Sequence, residues 1–291
     1  MTGTYTTIDL SQLPAPDIIE SLDFETLLAA RKARLVSLYP AEEQADLAAR
    51  LALESEPLNK LLQENTYREL LLRQRINEGA RACMLAYSSG SNLDHLLALL
   101  GAERLPNEQD PTYRERGRQA PFAYSTAGPA AAYRFHALSA APSVLDAAVD
   151  SPLPGQVRVT VLSRDGSGVA APELLSVVAN ALNAEDVRPL NDNVAVQSAT
   201  LVEWVLAATL YIPEGPAPEP VMAAAQKAAQ AYADSCHRLG VPLRLSALYA
   251  ALHQPGVSRV ALQSPLADLE VDPTQALSCT RLTLTRVAID G

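Results

Sequence analysis

Apolar positions along residues 17–100 recur with the period of an α-helix. Phe24, Leu27, Leu28, Arg31, Leu35 and Leu38 fall at i, i+3, i+4, i+7, i+11 and i+14, one apolar stripe with a single charged interruption. Asp23 stands before the stripe as an N-cap and Pro40 ends it. A second helix is predicted from Ala41, with Glu42 and Glu43 in its first turn, where the helix dipole favours negative charge. A longer helix is predicted from Pro57, whose missing N–H has no partner to lose in a first turn. Along it Leu58, Leu62, Asn65, Glu69, Leu72, Ile76, Gly79 and Cys83 alternate four and three residues apart. That spacing resembles a heptad seam, broken by Asn65 and Glu69 and weakened at Gly79. Glu64 with Arg68, and Glu69 with Arg73, form i,i+4 pairs that support the exposed side. Such a helix either packs within its own domain or joins a bundle with other chains, and the pattern alone allows both. A short fourth helix, Leu93 to Leu100, ends at Gly101.

Residues 101–128 are punctuated by Gly101, Pro106, Pro111, Gly117, Pro121 and Gly128 and mark a domain boundary. Asp110-Pro111-Thr112 opens a short helix carrying Arg114, Arg116 and Arg118, the chain's basic cluster, which reads as a solvated face in preference to a docking patch. Beyond it the period changes. A helix is expected over Ser125 to Ala140, then strands at Val144–Val149 and Val157–Leu162 joined by a turn. Pro172–Leu182 reads as an amphipathic helix, and Val194–Ala199 and Leu201–Ile212 as strands. In the last of these Trp204, Leu206, Ala208, Leu210 and Ile212 share a face, with Glu203 on the other. An Ala-rich helix running to about Leu239, a helix at Leu245–Leu252, and strands at Val257–Leu262 and Arg281–Ile289 complete the chain. The fold class is therefore α+β, a helical N-terminal region followed by mixed strand and helix domains. The expected divisions are 1–105, 106–200 and 201–291.

Composition narrows the function. Against 33 acidic residues stand 23 Lys+Arg, a formal charge of −10 over 291 residues, which argues against nucleic acid as a partner. Hydrophobic residues make up 48%, enough to bury cores without metal or disulfide support. Cys83, Cys236 and Cys279 are far apart and form no CxxC pair, so reduced thiols are expected. The N-terminal stretch lacks the basic and apolar regions of a signal peptide, and nowhere does an apolar run reach membrane-spanning length.

Motifs that carry chemistry are scarce in the chain. There is no HExxH, GxSxG, GxxxxGK[ST] or GxGxxG. Arg164-Asp165-Gly166-Ser167-Gly168 could present N–H groups to an anion, but with no Lys it reads as a tight turn. His95, His136, His237 and His253 lack a second ligand at helical spacing, and read as surface or capping residues. No catalytic residue, cofactor or metal is expected.

Several segments resemble a known family. LPAPD, LDFE and SLYP within residues 8–40, LESEP and YREL within 53–78, DVRPL within 155–199 and SALYAALH within 238–266 stand in an order similar to the baseplate J-like proteins of contractile phage tails and R-type tailocins. The resemblance covers most of the chain, least well over 101–124. It implies a structural wedge component: two copies per wedge, six wedges closing into a ring around the central hub. It also implies a helical bundle with a second wedge protein, contacts with hub and sheath-initiating baseplate proteins, and a ring rearrangement that starts sheath contraction. Assembly in the bacterial host cytoplasm and a final place in the baseplate of a released particle, phage or tailocin, follow from it. Under this resemblance the long helix becomes a bundle helix, with Leu58, Leu62, Leu72 and Ile76 as contacts and Asn65 and Glu69 setting register or partner. Ile8, Leu10 and Leu13, in a segment held extended by Pro14 and Pro16, form a second expected contact, or else a strap over the protein's own helices. The rival classes are a tail-associated hydrolase and a cytosolic helical adaptor unrelated to tails.

Overall fold

In the computed structural model, which describes residues 10, 13–14, 16–125, 128–214 and 218–289, the chain divides into two compact units between Glu103 and Arg104. The first unit is helical: α1 Phe24–Val36, α2 Ala41–Leu51, α3 Pro57–Ala82 and α4 Gly90–Ala98. The first three begin where their sequence directs, and α4 begins at Gly90, three residues before the expected Leu93. Asp23 accepts from the Thr26 amide at 2.8 Å and from its hydroxyl at 2.6 Å, capping α1. Pro57 opens α3. After α4, Gly101 turns at φ 71° while Ala102 N–H reaches the Leu97 carbonyl at 3.1 Å. The apolar core of this unit is thin. Among the described residues, Leu28, Leu47, Leu51, Leu93, Leu97 and Ala102 are its buried apolar side chains.

The second unit carries two mixed sheets of three strands. Its helices and strands are α5 Asp110–Gly117, α6 Ala130–Ala140, β1 Val144–Asp150, β2 Gln156–Ser163, α7 Pro172–Leu182, β3 Asn193–Ser198, β4 Thr200–Pro213, α8 Pro218–Cys236, α9 Leu245–Leu252, β5 Arg259–Ser264 and β6 Gln275–Ile289. The first sheet has order β1-β2-β3, antiparallel then parallel, with α7 as the crossover between the parallel strands. Its core joins Val159 and Val161 of β2 to Val178 and Leu182 of α7 and Ala137 of α6. The second sheet has order β5-β4-β6, and β6 runs parallel to β4 along the whole length of β4. Trp204, Leu206, Ala208, Leu210 and Ile212 face the helices from β4, as their alternation predicts. Ala225, Ala229 and Ala233 form the stripe of α8 that meets them, and their small side chains let helix and sheet approach closely. Leu162, Ala199 and Ala276 close a small third cluster where β3 passes directly into β4.

Three expectations need correction. β6 begins at Gln275, six residues before the expected Arg281. The cause is a bulge: Cys279 pairs with Trp204 and Arg281 with Val205, so Thr280 is extra, its hydroxyl donating to the Trp204 carbonyl at 3.2 Å. Inward residues are odd-numbered before the bulge (Leu277, Cys279) and even-numbered after it (Leu282, Leu284), which breaks the period-two signal. Second, α8 ends at Cys236, short of Leu239. His237 leaves the helix to bond the Leu277 carbonyl through Nδ1 at 2.6 Å, and its ring fills the space beside Gly168, whose φ is 108°. Third, the arginines around α5 are no solvated face. The side chains of Arg116 and Glu108 are each 5% exposed and meet in a two-pronged pair, Nε to Oε1 at 2.9 Å and Nη2 to Oε2 at 2.7 Å. Arg116 Nη1 also donates to Ser139 Oγ at 3.0 Å, and the guanidinium lies over Tyr113. Arg118 pairs with Glu115 at 2.8 Å.

Candidate assembly surface

The long helix α3 is oriented against the usual rule. Its most buried side chains are polar: Asn59, Thr66 and Asn77. Each finds a partner that the helix or its neighbours supply. Asn59 Nδ2 donates to the Leu53 carbonyl at 3.0 Å, and the Thr66 hydroxyl to the Leu62 carbonyl one turn back at 2.7 Å. Asn77 exchanges two bonds with the backbone of Glu20, donating to its carbonyl at 2.9 Å and accepting from its N–H at 3.1 Å. That exchange pins the segment before α1 to α3.

Of the seam residues, Leu58, Leu62, Asn65 and Glu69 are half-buried. Leu72 and Ile76 project into solvent, 67% and 62% exposed. Cys83 continues their line and is exposed as a free thiol. Leu61, Tyr67 and Leu71, which the heptad spacing omits, are exposed on the flank. Their signal in the sequence is plain only once the inward side of α3 is known to be polar. Leucine-rich and tyrosine-bearing positions on a helix whose buried face is Asn and Thr must point outward. These exposed apolar side chains, set among the exposed Glu64–Arg68 and Arg75–Glu78 pairs, make this face a candidate interaction surface.

Glu69 is bound within its own chain. Arg31 Nε donates to Glu69 Oε2 at 2.7 Å and Arg73 Nε to Oε1 at 2.9 Å, and Arg73 reaches Glu20 at 2.6 Å. The charged break in the α1 stripe and the charged break in the α3 seam thus meet each other. These bonds, first from Arg31 and then from Arg73, hold the Glu69 carboxyl below the usual carboxylate range. Of the N-terminal contact residues, Ile8 lies outside the described residues, Leu10 is half-buried and Leu13 is exposed. The exposed Ile18 stands between Leu13 and the pinned Glu20.

Among the described residues no group of three or more His, Cys, Asp or Glu is placed to hold a metal, and no helix is long and apolar enough to cross a membrane. Of the histidines, His136 is half-buried, and that burial lowers its pKa against a weaker opposing pull from Asp186. The turn at Arg164–Gly168 is tight, with Gly166 at φ 66° and Ser163 N–H bonded to the Gly168 carbonyl at 2.8 Å.

Residues 54–109 match the baseplate J-like N-terminal domain, and residues 125–198 match the baseplate J-like central domain. The chain is 52% identical over 288 residues to the baseplate protein J of Escherichia phage P2, across 94% of this chain and 95% of that protein. The chain belongs to the baseplate J-like family. It is accordingly a structural baseplate protein of a phage tail. The N-terminal match begins just before α3, so the helix with the inverted face lies inside the part that defines the family. The central match spans α6 through β3, the whole of the first sheet.

Proposed function

We propose that this baseplate J-like chain is a wedge subunit of a contractile tail. Two copies per wedge and six wedges would close a ring around the central hub. The helical part, about residues 1–105, enters a bundle with a second wedge protein. The parts at 106–200 and 201–291 meet neighbouring copies and the hub and sheath-initiating proteins. Rearrangement of the ring then releases sheath contraction. Phage and tailocin particles are both compatible with this role, and assembly takes place in the host cytoplasm.

One observation carries the reading. The α3 side that its own unit buries is polar, and Leu72 and Ile76 on the seam are left in solvent. A monomer gains nothing from that arrangement, whereas a bundle buries the leucine side at roughly 25 cal/mol per Å² of apolar area. Leu58, Leu62 and Asn65 extend the contact toward the helix start, and Leu10 and Leu13, with Ile8, add a second one.

The test is the double substitution Leu72→Glu and Ile76→Glu in the producing strain. The isolated chain should keep its stability to within about 0.5 kcal/mol, because both side chains are exposed. Purified particles should lack the variant, or sheathed particles should fail to form. Normal incorporation, with the chain present in the ring at the distal end of the sheath, would remove α3 from the interface. A cryo-EM map lacking the wild-type chain in that ring would remove the wedge role itself.

A further inference from the structure

A cavity of about 630 Å³ opens within the second unit, walled by the segment entering α5, the end of α6, the start of β1 and the turn after β2. Most charges on its wall are already matched. Arg116 is held by Glu108 at 2.7 Å, Arg134 by Asp146 at 2.8 Å, and Glu115 by Arg118 at 2.8 Å. Arg164 and Arg238 are different. Arg164 donates from Nε to the Pro142 carbonyl at 3.2 Å and from Nη2 to the Val144 carbonyl at 3.4 Å. Arg238 donates from Nη1 to the Leu145 carbonyl at 2.8 Å. These are neutral carbonyls at and just before the start of β1, so two guanidinium groups gather there with their charge unmatched. Among the described residues neither forms an ion pair, and Asp165, the remaining carboxylate on the wall, pairs with neither. Each guanidinium has five N–H donors, so most stay available. Leu105, Leu138 and Leu145 supply an apolar wall beside them.

We propose that this cavity receives a carboxylate-bearing peptide segment of another baseplate chain. An Asp or Glu side chain meets Arg164 and Arg238, and an adjoining aliphatic side chain lies on the leucines. Arginine suits this role because its planar fork matches a carboxylate two bonds at a time. The volume falls within the range of built ligand sites, about 300–1,000 Å³. The leucine wall gives a bare inorganic anion nothing to bury, which selects a peptide as the source of the negative group. The charge also fits: two unmatched cations stand out on a chain of net charge −10, and they attract an acidic segment while the rest of the surface repels it. This inference rests on the reading that the chain assembles with other baseplate proteins.

The test measures fluorescence anisotropy of a labelled, end-capped peptide of alternating Glu and Leu, titrated with the full-length chain. A Gln and Leu peptide serves as the neutral counterpart, and inorganic phosphate as a free-anion competitor. The Glu peptide should bind saturably and about tenfold or more tighter than the Gln peptide. Arg164→Gln with Arg238→Gln should weaken it about tenfold, and Asp165→Asn should tighten it severalfold by removing the opposing charge. Equal binding of the two peptides, or no response to Asp165→Asn, overturns the proposal, and both measurements stand even if the double variant fails to fold. Displacement by phosphate at the same concentration as by unlabelled Glu peptide identifies a free-anion site and also overturns it. The assay needs no particle, so a negative result leaves the wedge reading untouched, and exclusion of the chain from particles leaves this result untouched.

Discussion

Glu108→Ala removes a carboxylate that accepts from Arg116 Nε at 2.9 Å, from Arg116 Nη2 at 2.7 Å and from the Leu105 amide at 3.0 Å. Arg116 remains behind with its side chain 5% exposed, so its guanidinium is left largely desolvated. Stranding one member of a buried pair costs about 3–5 kcal/mol, against at most about 1 kcal/mol for an exposed pair. For a unit of this size each kcal/mol lowers Tm by about 2–4 °C, so the fall should lie near 6–20 °C. Calorimetry and urea unfolding of the full-length chain, following the transition of the Arg104–Gly291 unit, measure it. The combined variant Glu108→Leu with Arg116→Met removes both charges at once. Its loss should be about 2 kcal/mol or less, because no uncompensated charge remains buried. A cost below about 1 kcal/mol for Glu108→Ala, or simple additivity in the double-mutant cycle, would refute the claim that this pair is desolvated.

Further consequences are open to measurement. Leu206→Ala empties a fully buried site of the second sheet and should cost about 2–5 kcal/mol in denaturant unfolding. Asp23→Ala deletes the cap that holds the Thr26 amide and should lower the stability of the helical unit measurably in denaturant unfolding, with Asp23→Ser restoring most of it. His136 has a folded pKa depressed by burial, so the unfolded chain binds the proton more readily. Its contribution is therefore complete above the unfolded value, near 6.5, and is lost as pH falls below that toward the lower folded pKa. Unfolding measured between pH 8 and 5 should lose less stability in His136→Gln than in the wild type, and an unchanged slope would contradict that burial.

Several local signals in the sequence are matched by the structure. Helix α1 with its Asp23 cap, the Pro57 start of α3, and the alternation of Trp204 through Ile212 depend on residues a few positions apart. The family was also legible, because short strings such as LPAPD and SALYAALH are specific in combination. The corrections share another cause. The arginines of α5 look like an exposed basic cluster until Glu108, eight residues before Arg116, folds back under them. The start of β6 is hidden because one extra residue at Thr280 reverses which positions face inward.

Periodicity, caps and breakers thus determined from the sequence alone that the chain is a helical region followed by α+β domains, acidic and without a recognisable catalytic motif. Which face of α3 is buried was decided only by tertiary structure. A heptad spacing names a stripe but not its occupant. The exchange between Asn77 and Glu20 and the bridge from Arg31 to Glu69 turn the polar side inward and leave Leu72 and Ile76 outside. The partners of those polar groups lie 38 to 57 residues away along the chain, beyond the reach of any local pattern. The same holds for the cavity, where Arg164 and Arg238 are brought to one strand start by the packing of segments that the sequence separates.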